Sequence, residues 1–241
     1  MSGQRPRKEI MSLRIGLDID GVLADFRGAF SATANDVLGP RSADAGPLSP
    51  AEVERVWQHI ARLPNWWLRL APFEPAQIAE LYSLSRAARW ETFFMTARPP
   101  SAGDAVQFQT QWWLEQQGFY LPSVLTVHGS RGEIANALRL DIVVDDQFAN
   151  CAEIIGGSVT KALLMLRDPE PVLEKHALDR GVGVVTTLEE TLPVLARLQD
   201  LLQTRRGRVL RLTDWISPPF AETLPDNPRI TRKVPDVPAG S

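Results

Sequence analysis

The run LRIGLDIDGV, residues 13–22, determines how the rest of the chain is interpreted. Its apolar first half predicts a buried β-strand, which ends abruptly at Asp18 and Asp20. Similar short apolar runs recur along the chain, with helical stretches between them. Continuous apolar strands that alternate with helices predict an α/β fold, a Rossmann-like parallel sheet with helices on both faces. The later runs end at Thr96, His128, Asp145, Arg167 and Thr186.

The helices between these strands have recognisable ends. One is predicted over Asp104 to Gln117, with Gly118 as its stop, and a short one over Glu133 to Leu140. Thr187 and Glu190 resemble a capping box that opens a Leu-rich helix to Leu202. Pro193 lies inside that stretch and is expected to kink the helix or to delay its start.

Two regions depart from this alternation. Residues 26–86 contain helical pieces but no convincing strand, and they are too long for a plain loop. They are predicted to form a small helical cap on an α/β core made of residues 13–25 and 87–203. Residues 1–12 are predicted to be a disordered leader, and residues 204–241, rich in Pro and Arg, an extended or disordered tail.

The bulk composition narrows the class of protein. Its 241 residues carry a net charge of −3, which argues against a surface built mainly to bind nucleic acid, although a basic run at 205–208 weakly favours a polyanion. No apolar run approaches membrane-spanning length, and no signal peptide is expected after the polar first ten residues. The single cysteine, Cys151, is expected to be a buried apolar residue, and its isolation fits a reducing cytoplasm. The expected partner is a small molecule; a homodimer is left open.

Acidic residues close two of the predicted strands. Asp18 and Asp20 follow the first strand, and Asp145 and Asp146 follow a later one. In an open parallel sheet the carboxyl ends of the strands line one crevice, so these carboxylates should meet there. Carboxylates without His or Cys partners favour Mg²⁺ over zinc. The alternative interpretation is that the acids are solvated or cap the following helices.

Groups suited to binding a phosphoryl anion follow other strands. Thr96 ends a strand, and its hydroxyl with the Ala97 amide could bind a phosphoryl oxygen. Arg98 is a second candidate anion contact, with a surface residue or a residue facing the cap as the alternative. Arg131, in a loop that opens a helix, would supply the cation that phosphoryl transfer needs. His128 is expected to be structural.

The chain resembles a known family at these residues. Asp18 and Asp20 with Gly21 and Val22, then Thr96, then Arg131, then Asp145 and Asp146 are similar in order and spacing to the four motifs of the haloacid dehalogenase superfamily. The runs at 18–26, 93–99, 140–146 and 63–72 further resemble its 5′(3′)-deoxyribonucleotidase branch. The resemblance covers residues 13 to 200. The third motif usually offers lysine, whereas this chain has arginine.

The resemblance implies a Mg²⁺-dependent phosphomonoesterase of nucleoside monophosphates. Asp18 would attack phosphorus to form an aspartyl-phosphate, and Asp20 would act as acid and then base. The metal would be held by Asp18, the backbone carbonyl of Asp20 and Asp146, with Asp145 in support. Thr96, Ala97 and Arg131 would bind the phosphoryl oxygens.

The cap would choose the substrate. Phe26, Trp66 and Trp67, with Arg98, are the expected substrate contacts, and a nucleobase could stack on the rings. The tryptophans fit equally well as the core of the cap itself. Two other functions stay open: a phosphatase of another small metabolite or a nucleic-acid end, and a non-catalytic phosphate-binding or regulatory protein with the same fold.

Overall fold

The computed structural model describes residues 12–40 and 46–203. The predicted leader, apart from Ser12, and the predicted tail lie outside the described residues. The basic run at 205–208 lies outside them as well.

All six predicted strands are present and form one sheet. Its strands are β1 (Arg14–Asp18), β2 (Glu91–Thr96), β3 (Ser123–Thr126), β4 (Ile142–Asp145), β5 (Lys161–Met165) and β6 (Gly183–Val185). Every neighbouring pair is parallel, and the order is β3-β2-β1-β4-β5-β6. The chain builds one half of the sheet from β1 to β3 and then crosses to β4, so the strand order reverses between the spatial neighbours β1 and β4. In such sheets the ligand crevice lies at this switch point, beyond the carboxyl ends of the strands.

Helices cover both faces, as predicted. They are α1 (Phe26–Leu38), α2 (Pro50–Ile60), a 3₁₀ helix (Trp66–Arg69), α3 (Pro75–Ala88), α4 (Val106–Gln116), α5 (Arg131–Ala137), α6 (Phe148–Gly157), α7 (Pro171–Asp179) and α8 (Leu188–Gln203). Helix α5 begins two residues earlier than predicted, because Ser130 accepts a hydrogen bond from the Glu133 amide and caps it.

Helix α8 shows that the expected effect of Pro193 on its start is wrong. The helix begins at Leu188 and continues through Pro193. The Thr187 hydroxyl accepts from the Glu190 amide at 3.1 Å, so the N-terminus is capped as the sequence suggests. Pro193 has no N–H to donate, and the helix is held against the core by buried leucines that include Leu192 and Leu195.

The apolar core has two layers, one on each side of the sheet. Side chains of α3, α4 and α8, among them Ile78, Trp113 and Leu195, pack against one face. Smaller residues of α5, α6 and α7 pack against the other, and Cys151 is fully buried there, as predicted. Because both faces of the sheet are covered, the inner strands are apolar on both sides beyond their first residues, as in residues 142–144 of β4.

Between β1 and β2 the described chain is helical. Helix α1 packs against α2, and both contribute to the larger apolar cluster. Helix α3, inside the predicted cap range, packs against α8. The division into core and cap stays a prediction. Among the described residues, no helix combines the length and apolarity that crossing a bilayer requires.

Candidate active site

The acidic residues meet at the carboxyl edge of the sheet. Strands β1 and β4 are neighbours, with Leu17 beside Val144, so Asp18 and Asp145 end adjacent strands. Asp145 is fully buried and Asp18 nearly so. Asp146 and Asp20 lie close enough for their charges to act on Asp18. The sheet therefore brings together the four predicted carboxylates.

These carboxylates raise one another's proton affinity. Burial, and next the charge of Asp145, raise the pKa of Asp18 well above its ordinary value, although Arg131 opposes the shift. Burial raises the pKa of Asp145. Burial and the charges of Asp145 and Asp20 raise the pKa of Asp146 to about 6. A bound cation would offset the repulsion among these carboxylates and so favour their ionised forms.

Asp145 is already supplied with hydrogen-bond donors. Its Oδ1 accepts from the Gln147 amide at 2.9 Å and from Asn150 Nδ2 at 3.0 Å, and its Oδ2 accepts from the same Asn150 group at 3.1 Å. Both oxygens are thus occupied, which favours Asp146 as the direct metal ligand. Asn150 was not anticipated, since an asparagine on a helix carries no distinctive pattern.

Arg131 contacts the predicted nucleophile directly. As the first residue of α5, it donates from Nη2 to Asp18 Oδ1 at 3.0 Å, and the two side chains are only 8% and 10% exposed. Its Nη1 is buried without a hydrogen-bond partner among the described residues. A buried guanidinium donor left unpaired is costly, so a bound anion is the natural partner for it.

The other predicted anion contact from β2 is also at this edge. Met95 pairs with Asp18, so Thr96 follows one residue beyond the nucleophile. Thr96 is 1% exposed, whereas Ala97 is exposed. Strand β2 ends at Thr96, which is compatible with the predicted oxygen-binding role of both residues.

Arg98 departs from the expectation that it faces substrate. Its side chain is completely buried and donates to both carboxylate oxygens of Asp20, from Nη2 to Oδ1 at 2.7 Å and from Nε to Oδ2 at 2.9 Å. Nη1 donates to Thr110 at 3.0 Å, and the guanidinium lies 4.8 Å from the Trp67 ring centre. Arg98 therefore holds the predicted acid–base residue. This pair could not be predicted from the sequence, because Arg98 and Asp20 lie far apart along the chain.

The two tryptophans correct the expectation of an open stacking surface. Trp66 and Trp67 are 2% and 1% exposed, and their indole N–H groups donate to Thr33 and to the Pro99 carbonyl. They form the core of the helical region, as the alternative interpretation had it. Phe26 is half-buried and completes the cluster with its ring 6.1 Å from that of Trp67.

A tight turn follows Asp20 and passes close to the Asp146 carboxylate. The amides of Leu23 and Ala24 both donate to the Ile19 carbonyl at 2.8 Å. Gly21 has a φ of +86°, and a Cβ there would overlap the Asp146 carboxylate. Only glycine satisfies both requirements, because it tolerates positive φ and leaves room for the carboxylate.

The donor set fits magnesium without forming a closed metal cage. Within residues 12–40 and 46–203, no three Asp, Glu, His or Cys side chains already surround a common point. Mg²⁺ binds through one or two carboxylates and completes its shell with water and substrate phosphate. The Asp18 and Asp146 carboxylates with the Asp20 carbonyl match that requirement, and burial and neighbouring carboxylates raise the pKa of both acids, which a cation would oppose.

Solved structures share this fold, although no protein-family model matches the chain and no curated protein does. A HAD family hydrolase from Deinococcus radiodurans R1, solved with bound phosphate and sodium, is 16% identical at a TM-score of 0.53, over 78% of this chain and 96% of that one. A phosphonoacetaldehyde hydrolase like protein from Oleispira antarctica is 12% identical at 0.54, over 88% and 99%. A haloacid dehalogenase-like family hydrolase from Streptococcus pneumoniae is 15% identical at 0.50, over 75% and 97%. At this identity the likeness establishes architecture: the chain has the fold of the haloacid dehalogenase-like hydrolases.

Proposed function

We propose that this protein is a Mg²⁺-dependent phosphomonoesterase whose nucleophile is Asp18. The observation that carries the proposal is the buried pair of Asp18 and Arg131, in which Arg131 Nη1 has no partner among the described residues. A nucleophilic carboxylate beside an unpaired guanidinium donor is suited to receive a phosphoryl group. The fold and the order of the motifs agree with this chemistry.

The carboxylates of Asp18 and Asp146 and the carbonyl of Asp20 would hold the metal. Bound there, Mg²⁺ supplies positive charge that offsets the developing charge of phosphoryl transfer. Asp145 supports the site from behind, because Asn150 and the Gln147 amide fix its orientation. Second-layer hydrogen bonds of this kind orient metal sites in proteins.

Asp18 attacks the phosphorus atom, and a covalent aspartyl-phosphate forms as the ester oxygen leaves. Arg131 holds one phosphoryl oxygen through the unpaired donor, while Thr96 and the Ala97 amide hold another. Arginine keeps the positive charge that lysine would bring, but in a planar fork that can bond Asp18 and the substrate at the same time.

Asp20 protonates the leaving oxygen and afterwards takes a proton from the attacking water. In the present geometry both of its oxygens accept from Arg98. A carboxyl that donates a proton to an ester oxygen must free one oxygen from this pair. Asp20 is therefore expected to loosen its contact with Arg98 when substrate binds, and Arg98 to define the position to which it returns.

The finer proposal is that the substrate is a nucleoside monophosphate. It rests on the sequence resemblance and on Phe26, whose ring is the half-exposed member of the proposed substrate contacts in the aromatic cluster. Burial of Trp66 and Trp67 removes two of the expected stacking surfaces, so Phe26 is the aromatic side chain left to contact a base. Another small phosphorylated metabolite is the competing substrate class.

Two measurements test these levels separately. With Mg²⁺ and an aryl phosphate, Asp18→Asn should abolish turnover while the fold stays intact. Asp141→Asn changes an aspartate at the amino ends of the strands, away from the site, and should retain turnover. Equal turnover of Asp18→Asn and the wild type would exclude Asp18 as nucleophile.

On a panel of deoxynucleotides and sugar phosphates, faster hydrolysis of a nucleotide is expected; otherwise the nucleotide assignment fails. A wild-type protein that hydrolyses no ester would favour the non-catalytic alternative.

A further inference from the structure

Arg167 occupies a central place that neither the sequence pattern nor the proposed chemistry assigns. It lies two residues beyond β5, at the carboxyl edge of the sheet, and its side chain is 20% exposed. Its Nε donates to the Gly21 carbonyl at 3.1 Å, and its Nη2 donates to the Val22 carbonyl. These are the first two carbonyls after Asp20.

The remaining donor of Arg167 ties this turn to the rest of the fold. Nη1 pairs with Glu74 Oε1 at 2.8 Å, and the guanidinium stacks 4.0 Å from the centre of the Phe73 ring. Glu74 in turn accepts from the amides of Leu188 and Glu189 at 2.9 and 3.0 Å, which are the first donors of α8. One guanidinium thus joins the turn, the entry to α3 and the start of α8.

The electrostatics agree with a firmly held pair. Burial alone would raise the pKa of Glu74, but the hydrogen bonds from the Leu188 amide and from Arg167 outweigh it and lower the pKa. Glu74 is accordingly an ionised cap for α8 as well as a partner for Arg167.

The backbone around the turn shows why an outside anchor matters. Two backbone hydrogen bonds join the chain just after the turn to the chain just after the 3₁₀ helix. The Asp25 amide donates to the Ala71 carbonyl at 2.8 Å, and the Phe73 amide donates to the Leu23 carbonyl at 2.9 Å. Any displacement of the helices between Asp25 and Ala71 would therefore pull on the turn. Since the turn carries Asp20, such a displacement would move the acid–base residue and its backbone carbonyl.

We infer that Arg167 is a positioning residue: it fixes the turn after Asp20 against the sheet and so sets the place of the Asp20 carbonyl and carboxyl. It contacts neither the reacting atoms nor the carboxylate cluster. The role of the turn in catalysis rests on the proposed function, whereas the anchoring of the turn does not. Lysine would not substitute, because a single ammonium group cannot serve two carbonyls and Glu74 in the planar arrangement of the guanidinium.

The chain offers a matched control in Arg14. It too donates to a backbone carbonyl, that of Leu138 at 2.8 Å, pairs with a glutamate, Glu91, and lies over a phenylalanine ring, Phe93. It lies at the start of β1, at the edge of the sheet away from Asp18. Arg14→Met therefore removes a similar set of contacts without touching the turn.

The test compares Arg167→Met, Arg167→Lys and Arg14→Met in full-length protein by two measurements. In amide hydrogen exchange, the Leu23 and Ala24 amides should exchange about tenfold faster or more in both Arg167 variants and at the wild-type rate in Arg14→Met. With an aryl phosphate and Mg²⁺, kcat should fall about 10- to 100-fold in the Arg167 variants with a much smaller change in KM. If Arg167→Met does not fold, Arg167→Lys decides.

Wild-type exchange at both amides in Arg167→Lys would overturn the anchoring role, and wild-type kcat in that variant would overturn the positioning role. A wild-type protein without any phosphatase activity would instead defeat the proposed function, and the exchange measurement would still decide whether Arg167 anchors the turn.

Discussion

Replacement of Arg98 by methionine tests how Asp20 is held. The Arg98 side chain is fully buried and makes two hydrogen bonds shorter than 3 Å to Asp20 and one of 3.0 Å to Thr110. Breaking a buried ion pair by removing one partner typically costs about 3–5 kcal/mol. Asp20 is itself 21% exposed and can recover some hydration, so the lower end, about 3 kcal/mol, is expected.

This loss should be visible as a change in thermal stability. For a domain of this size about 1 kcal/mol corresponds to about 2–4 °C, so Arg98→Met should unfold about 6–12 °C below the wild type. Thermal and urea unfolding in metal-free buffer would measure it. The control is Arg14→Met, which removes the more exposed pair with Glu91 and should cost about 1 kcal/mol or less.

A double-mutant cycle with Asp20→Asn isolates the pair from the other contacts of Arg98. The coupling between the two positions should be about 1–3 kcal/mol, because each change removes the partner on which the other depends. An Arg98→Met protein within about 1 kcal/mol of the wild type, or a cycle with no coupling, would refute the buried Asp20 pair as a stabilising contact.

Three further predictions concern the carboxylate cluster. Since the pKa of Asp146 is raised to about 6 in the cation-free protein, its contribution to folding is present at low pH and is lost as pH rises through about 6. The stabilisation by Mg²⁺ should therefore grow between pH 5 and pH 7 in thermal unfolding scans, and a gain independent of pH would contradict this. Arg131→Met should lower kcat/KM for an aryl phosphate about 10²–10³-fold and Arg131→Lys by less, and equal losses would argue against a charge role. Gly21→Ala should displace the Asp146 carboxylate and weaken Mg²⁺ binding measured by calorimetry, whereas Gly39→Ala, also at positive φ but in open space, should not.

The strand ends were predictable because their signal is local. The apolar runs end where their strands end, and a parallel sheet places those ends on one edge whatever the details of packing. Asp18, Asp145 and Arg131 could therefore be expected at one edge before their contacts were known. The capped start of α8 was readable for the same reason, since Thr187 and Glu190 are three residues apart.

The role of Arg98 was not readable, because its partners Asp20 and Thr110 come from different elements and only the folded chain brings them together. The burial of Trp66 and Trp67 depended on how α1 and α2 pack, and from sequence alone an aromatic residue fits a core as well as a ligand surface. The position of Arg167 after a strand was predictable but its role was not, since it donates to backbone carbonyls, which carry no sequence pattern.

The central claim is that Asp18 forms a covalent bond to phosphorus. It is tested most directly by acid quenching the protein during turnover of an aryl phosphate with Mg²⁺, followed by mass spectrometry of the peptide that contains Asp18. We expect one phosphoryl group on Asp18 in the wild type and none in Asp18→Asn. Turnover by the wild type with no phosphoryl group on this peptide at any quench time, or the group on another residue, would contradict it.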